Sequence, residues 1–102
     1  MSDVTTLEEL NRAVVTDGRV VVLFTQPSTC VPCRQFKPHW QRAQENVDDI
    51  KFLTVDLDTL PEAAVRYGVL RVPTVKLYED GVFSRDVKAP QGAAPFINDI
   101  RE

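Results

Sequence analysis

The chain reads as an α/β domain: a central mixed sheet, part parallel and part antiparallel hairpin, with helices on both faces. Three observations predict it. Arg19-Val20-Val21-Val22-Leu23-Phe24 is a β-branched run without alternation, the pattern of a strand buried on both faces. Helix-like and strand-like segments alternate along most of the chain, which implies parallel strands joined by helices. Two strand-like runs, Pro73 to Tyr78 and Val82 to Val87, then meet at Glu79-Asp80-Gly81, a hairpin signal. With 102 residues the chain is expected to form one domain over its whole length.

The elements follow in the order α-β-α-β-α-β-β-α. Thr6-Leu7-Glu8-Glu9 fits a capping box, in which the Thr6 hydroxyl takes the amide three residues on and Glu9 reaches back. Leu7, Leu10 and Val14 recur at helical spacing, and Asp17-Gly18 ends the segment. The buried strand follows, then the polar loop Thr25-Gln26-Pro27-Ser28-Thr29. A long helix opens at Cys30, with Phe36, Trp40, Ala43 and Val47 on one face. Pro38 is expected to kink it by removing an amide hydrogen bond. Ile50 to Val55 is a second strand. Thr59-Leu60-Pro61-Glu62 offers a second Thr-x-x-Glu cap for a helix that Gly68 closes. After the hairpin, Phe96, Ile97 and Ile100 mark a short helix starting near Pro95.

Composition narrows the function classes. Charged residues make up 26% with a net charge of −3 and no basic cluster, which argues against nucleic acid as a partner. The longest apolar run, Val20 to Phe24, is too short to span a bilayer, and the first residues lack the pattern of a signal peptide. A cytoplasmic monomer with no membrane partner is the expectation.

The cysteines carry the chemistry. There are two, and both fall in Thr29-Cys30-Val31-Pro32-Cys33-Arg34. A bridge between them closes almost no loop, so it has little value as a structural staple. A C-x-x-C at the junction of a buried strand and an amphipathic helix is a redox signature. Cys30 falls where unpaired amides and the helix dipole favour a negative sulfur, which raises its thiolate fraction. Cys33, one turn further in, is placed to resolve a mixed disulfide. Pro32 stiffens the first turn at no cost in hydrogen bonds, and Arg34 adds positive potential. A zinc site lacks ligands, because only His39 accompanies the pair. No cofactor is expected beyond the Cys30–Cys33 disulfide itself.

Cys30-Val31-Pro32-Cys33, Pro38 in the following helix, and Tyr67-Gly68-Val69-Leu70-Arg71-Val72-Pro73-Thr74 together resemble the thioredoxin family from end to end. The resemblance implies the thioredoxin fold and reduction of protein disulfides, with Cys30 as nucleophile and Cys33 resolving. It implies a cis Pro73 packed against the disulfide, and a docking surface at Thr29, Val31, Val72, Pro73, Ala89 and Pro90. It implies disulfide-containing proteins as substrates and a flavoprotein thioredoxin reductase, or glutathione, as electron donor.

The chain departs from the family in ways that matter. Counting back from Cys30 puts Phe24 where the family carries a buried acid, and the acid's usual lysine partner falls at Thr54. In the family those groups help deprotonate the resolving thiol, so Cys33 needs other support, for which Asp56, Asp58 or a water are the candidates. Thr29 and Val31 replace a tryptophan and a glycine, and Ala89-Pro90 follows where a glycine admits substrate. The loop Thr25-Gln26-Pro27-Ser28-Thr29 is also similar to glutaredoxins, including reductants of ribonucleotide reductase. Two alternatives therefore stand beside the main reading: a glutaredoxin-like reductant, and a binding subunit whose cysteines idle.

Overall fold

In the computed structural model, which describes residues 3–88 and 93–102, the elements are β1 (Asp3–Val4), α1 (Leu7–Val14), β2 (Arg19–Thr25), α2 (Val31–Asn46), β3 (Ile50–Asp56), α3 (Glu62–Arg66), β4 (Thr74–Glu79), β5 (Val82–Val87) and α4 (Ala93–Arg101). The strands form one sheet in the order β1-β3-β2-β4-β5. β3 runs parallel to both β1 and β2, whereas β4 is antiparallel to β2 and to β5. This is the mixed sheet expected from the sequence. The short strand β1 is additional, since two residues are too few to show a period.

Alternate side chains of β2 enter two separate cores, which is why its sequence does not alternate. Val21 and Leu23 face a cluster built from Phe36, Trp40 and Ala43 of α2 and Phe96 and Ile100 of α4. Val20, Val22 and Phe24 face a second cluster with Leu10 and Val14 of α1 and Ala63 of α3. Aromatic rings meet in the first, with the Phe36 and Trp40 centroids 5.4 and 5.7 Å from that of Phe96. Burying each such side chain stabilises the fold by about 1.5–3 kcal/mol. Trp40 also donates its indole N–H to Thr54 Oγ1 at 3.1 Å, so its polar edge is satisfied in the core.

Local signals mostly hold. Thr6 caps α1 by accepting the Glu9 amide at 3.1 Å, while Glu9 Oε1 reaches back to the Thr5 amide rather than to that of Thr6. The second Thr-x-x-Glu signal does not cap: α3 starts after Pro61 with no side-chain hydrogen bond. The Asp56 carbonyl takes the amides of Thr59 and Leu60 at 3.0 and 2.9 Å, folding this stretch into a turn of its own. α2 continues through Pro38 as one 16-residue helix. The hairpin turns at Asp80 and Gly81, whose φ of 53° and 85° match the paired positive values of a type I′ turn. Asp80 is also anchored to the turn before β2, with Gly18 N–H donating to Asp80 Oδ1 at 2.8 Å.

Lys76, on β4, is unusual for a central strand. Its side chain is 9% exposed, its ammonium lies 2.7 Å from Asp86 Oδ1, and it sits 5.0 Å from the centroid of the Phe83 ring. Beside it, burial pushes the Tyr78 hydroxyl up to about 12, with Tyr67 and Asp86 adding to the shift.

Candidate active site

The site begins where β2 stops. After Thr25 the chain leaves the sheet through Gln26–Thr29, closed by the Thr29 amide on the Gln26 carbonyl at 3.2 Å. Cys30 then takes the N-cap position of α2, with extended φ and ψ of −120° and 104°. Its own sulfur is the cap: the Cys33 N–H donates to Cys30 Sγ at 3.1 Å. Pro32 lies in the first turn, where its missing amide has no intrahelical partner to lose. The two cysteines form a disulfide with Cα atoms 5.2 Å apart, within the ordinary range for a bridge.

The two sulfurs are not equivalent. Cys33 is 3% exposed and Cys30 9%, and exposed Thr29, Val31 and Pro32 surround the latter. Val72 and Pro73 are joined by a cis peptide bond and approach from the sheet side. The Val72 carbonyl oxygen lies 3.7 Å from Cys30 Sγ. The Thr74 hydroxyl donates to the Arg71 carbonyl and ties down this loop. Cys30, Cys33, Pro32, Val72 and Pro73 are thus brought together, with Thr29 and Val31 at the rim. Ala89 and Pro90 lie outside the described residues. Arg34 is exposed in the first turn and donates to the Pro27 carbonyl, so it also fastens the preceding loop.

One expectation is corrected. Phe24 packs on the α1 and α3 side, its ring centroid 5.8 Å from that of Tyr67, and so faces away from α2. Thr54 pairs in register with Leu23, and Leu23 belongs to the cluster beneath α2. The residue beside Thr54 on the face that α2 covers is therefore Leu23. Counting back through the Gln26–Thr29 loop loses the strand's phase by one residue, and one residue is a change of face. Neither Leu23 nor Thr54 ionises, and the Thr54 hydroxyl is engaged by Trp40.

Asp56 and Asp58, the candidates for supporting Cys33, have other partners. Asp56 Oδ1 accepts the Asp58 amide at 2.9 Å. The Asp58 carboxylate accepts Gln26 Nε2 at 2.7 Å and the Ser28 hydroxyl. These hydrogen bonds, that of Ser28 foremost, hold the Asp58 carboxyl below its usual range. Sequence reasoning missed this link, because nothing local connects residues about thirty positions apart.

A mixed sheet, with a C-x-x-C disulfide at the mouth of the helix after its central strand and a cis X-Pro beside it, defines a protein of the thioredoxin fold. Comparison with known proteins agrees. The thioredoxin family model matches residues 2–102. A thioredoxin of Mycoplasmoides gallisepticum is 31% identical over 81 residues, covering 79% of this chain and 80% of the relative. A thioredoxin of Streptomyces clavuligerus is 35% identical over 66 residues, covering 65% of this chain. The chain spans only about three fifths of the length of the Streptomyces relatives it matches, 60% and 59%. Among solved structures, Fasciola hepatica thioredoxin superposes with a TM-score of 0.86 at 25% identity, over 99% of this chain and 97% of that one. The chain belongs to the thioredoxin family.

Proposed function

We propose that this chain is a thiol–disulfide oxidoreductase that reduces protein disulfides through reversible oxidation of Cys30 and Cys33. The observation that supports it best is the asymmetric pair: the Cys30 sulfur, on the less buried of the two residues (9% against 3%), receives the Cys33 amide at 3.1 Å. In the reduced protein that amide and the start of α2 favour a Cys30 thiolate. The thiolate attacks one sulfur of a substrate disulfide, forming a mixed disulfide and releasing the other sulfur as a thiolate. Cys33 loses its proton and attacks Cys30 Sγ. The Cys30–Cys33 bond closes, the second substrate thiol leaves, and two electrons have passed to the substrate. Thr29, Val31, Val72 and Pro73 offer the docking surface, with Ala89 and Pro90 expected beside them. Pro32 and Arg34 play supporting parts.

The electron donor that restores the dithiol is a flavoprotein thioredoxin reductase, acting on a monomer in a reducing compartment such as the cytoplasm. Insulin reduction with dithiothreitol, comparing the wild-type protein with Cys30→Ser and Cys33→Ser, tests the reading. Cys33→Ser is expected to accumulate a mixed disulfide that Cys30→Ser does not form. Equal rates for all three proteins would refute it and leave a binding subunit with idle cysteines. Driving the reaction with NADPH and a thioredoxin reductase, then with glutathione, separates the donor proposed from the glutaredoxin-like alternative.

A further inference from the structure

The loop that presents Cys30 contributes little to the core. Ser28 and Thr29 are exposed, and Gln26 and Pro27 only half-buried. Its position therefore depends on hydrogen bonds more than on packing. Two grips hold it, one from α2 and one from the turn after β3. Arg34, on α2, donates to the Pro27 carbonyl. Asp58, in the turn after β3, accepts Gln26 through one carboxylate oxygen at 2.7 Å and the Ser28 hydroxyl through the other. Asp58 does not drift with the loop, because its own amide is fixed on Asp56 Oδ1 at 2.9 Å. Leu57 N–H, donating to the Thr25 carbonyl at 2.9 Å, extends the β2–β3 ladder to the start of the same loop.

We infer that Asp58 is a positioning residue for the redox reaction: by gripping Ser28 and Gln26 it fixes the loop that sets where Cys30 Sγ sits. It touches neither sulfur and acts through Ser28. This rests on the reading that Cys30 is the attacking thiol. The hydrogen bonds that lower the Asp58 carboxyl also keep it ionised, the form that accepts from both donors at once.

The test uses the reduced 102-residue chain with Asp58→Ala, Ser28→Ala, the double variant and Asp58→Asn. The readouts are insulin reduction, iodoacetamide alkylation of Cys30 quantified by mass spectrometry, and the thermal midpoint. Misplacing a reacting group by ~1 Å costs up to roughly a hundredfold in rate, and a partial loosening is expected to slow both reactions about three- to tenfold. The double variant is expected to match the slower single variant, because both break one grip. Asp58→Asn, which keeps an acceptor for one donor, is expected to recover part of the rate. Alanine variants with wild-type alkylation, or losses that add and follow the thermal midpoint, would overturn the inference. Should Asp58→Ala not fold, Ser28→Ala with its alkylation rate decides alone. A wild-type protein that fails to reduce insulin at all would instead refute the proposed function.

Discussion

Asp86→Ala offers a quantitative check on the sheet that carries the site. The change removes the carboxylate 2.7 Å from Lys76 Nζ and leaves an ammonium whose side chain is only 9% exposed. At that separation the Coulomb attraction is about 1.5 kcal/mol in water and about 6 kcal/mol at an effective dielectric of 20, before desolvation is subtracted. Asp86 is 64% exposed, so its end of the pair sits in the weak limit and Lys76 in the strong one. A net loss of about 1–2 kcal/mol is expected for Asp86→Ala, lowering the thermal midpoint by roughly 4–16 °C. Lys76→Met removes the buried charge while keeping an unbranched apolar stem against Phe83 and Tyr78. It is expected to fall within about 1 kcal/mol of wild type or above it. The double variant is expected to resemble Lys76→Met, since Asp86 alone is simply solvated. Urea denaturation of the three proteins decides. A Lys76→Met loss as large as that of Asp86→Ala, with the two adding in the double variant, would refute the reasoning.

Other side chains of the two cores and the sheet carry consequences of their own. Tyr78 is neutral when protonated, and its folded pKa, raised to about 12, lies above the ordinary 10.0. Its contribution is therefore complete below pH 10 and is lost as pH rises toward 12; with partial screening this is on the order of 1–2 kcal/mol. Urea midpoints at pH 9 and 11 are expected to diverge less in Tyr78→Phe than in wild type. Trp40→Phe removes the bond to Thr54 Oγ1 and part of a buried ring, and chemical denaturation is expected to show a loss of about 1–3 kcal/mol. Leu23→Asp places a carboxyl on the α2 face beside Thr54, at an expected stability loss of about 3 kcal/mol near neutral pH. It is expected to shift the pH dependence of Cys33 attack on a mixed disulfide, measured by stopped flow. Phe24→Asp, on the opposite face, is expected to destabilise without that shift.

Much of the fold was legible because its strongest signals are periodic. The unalternating β2 run, the α2 stripe and the Asp80-Gly81 turn each report a local geometry that tertiary contacts then reinforce. The reacting pair was legible for the same reason, since C-x-x-C at a strand–helix junction is a local pattern. What failed was non-local or depended on counting. The Thr59 cap lost to a turn organised by Asp56, and β1 was too short to register a pattern. Counting back from Cys30 sets Phe24, rather than Leu23, at the acid position, because a loop carries no pleat and the alternation cannot be counted across it. The Asp58 grip spans two segments that only the β2–β3 pairing brings together, and no spacing rule reaches that far.

The placement of β2 bears on how the molecule moves. It is hydrogen-bonded along most of its length to β3 on one side and β4 on the other, with Val20 through Thr25 buried. Amides in such a strand open only with the whole molecule, so they set the slow limit of hydrogen exchange. The chain thus passes from its slowest-exchanging amides to the sulfur that must meet a partner within the short Gln26–Thr29 loop. Deuterium uptake is expected to change abruptly across that loop, with reduction of the disulfide altering the far side and leaving β2 silent.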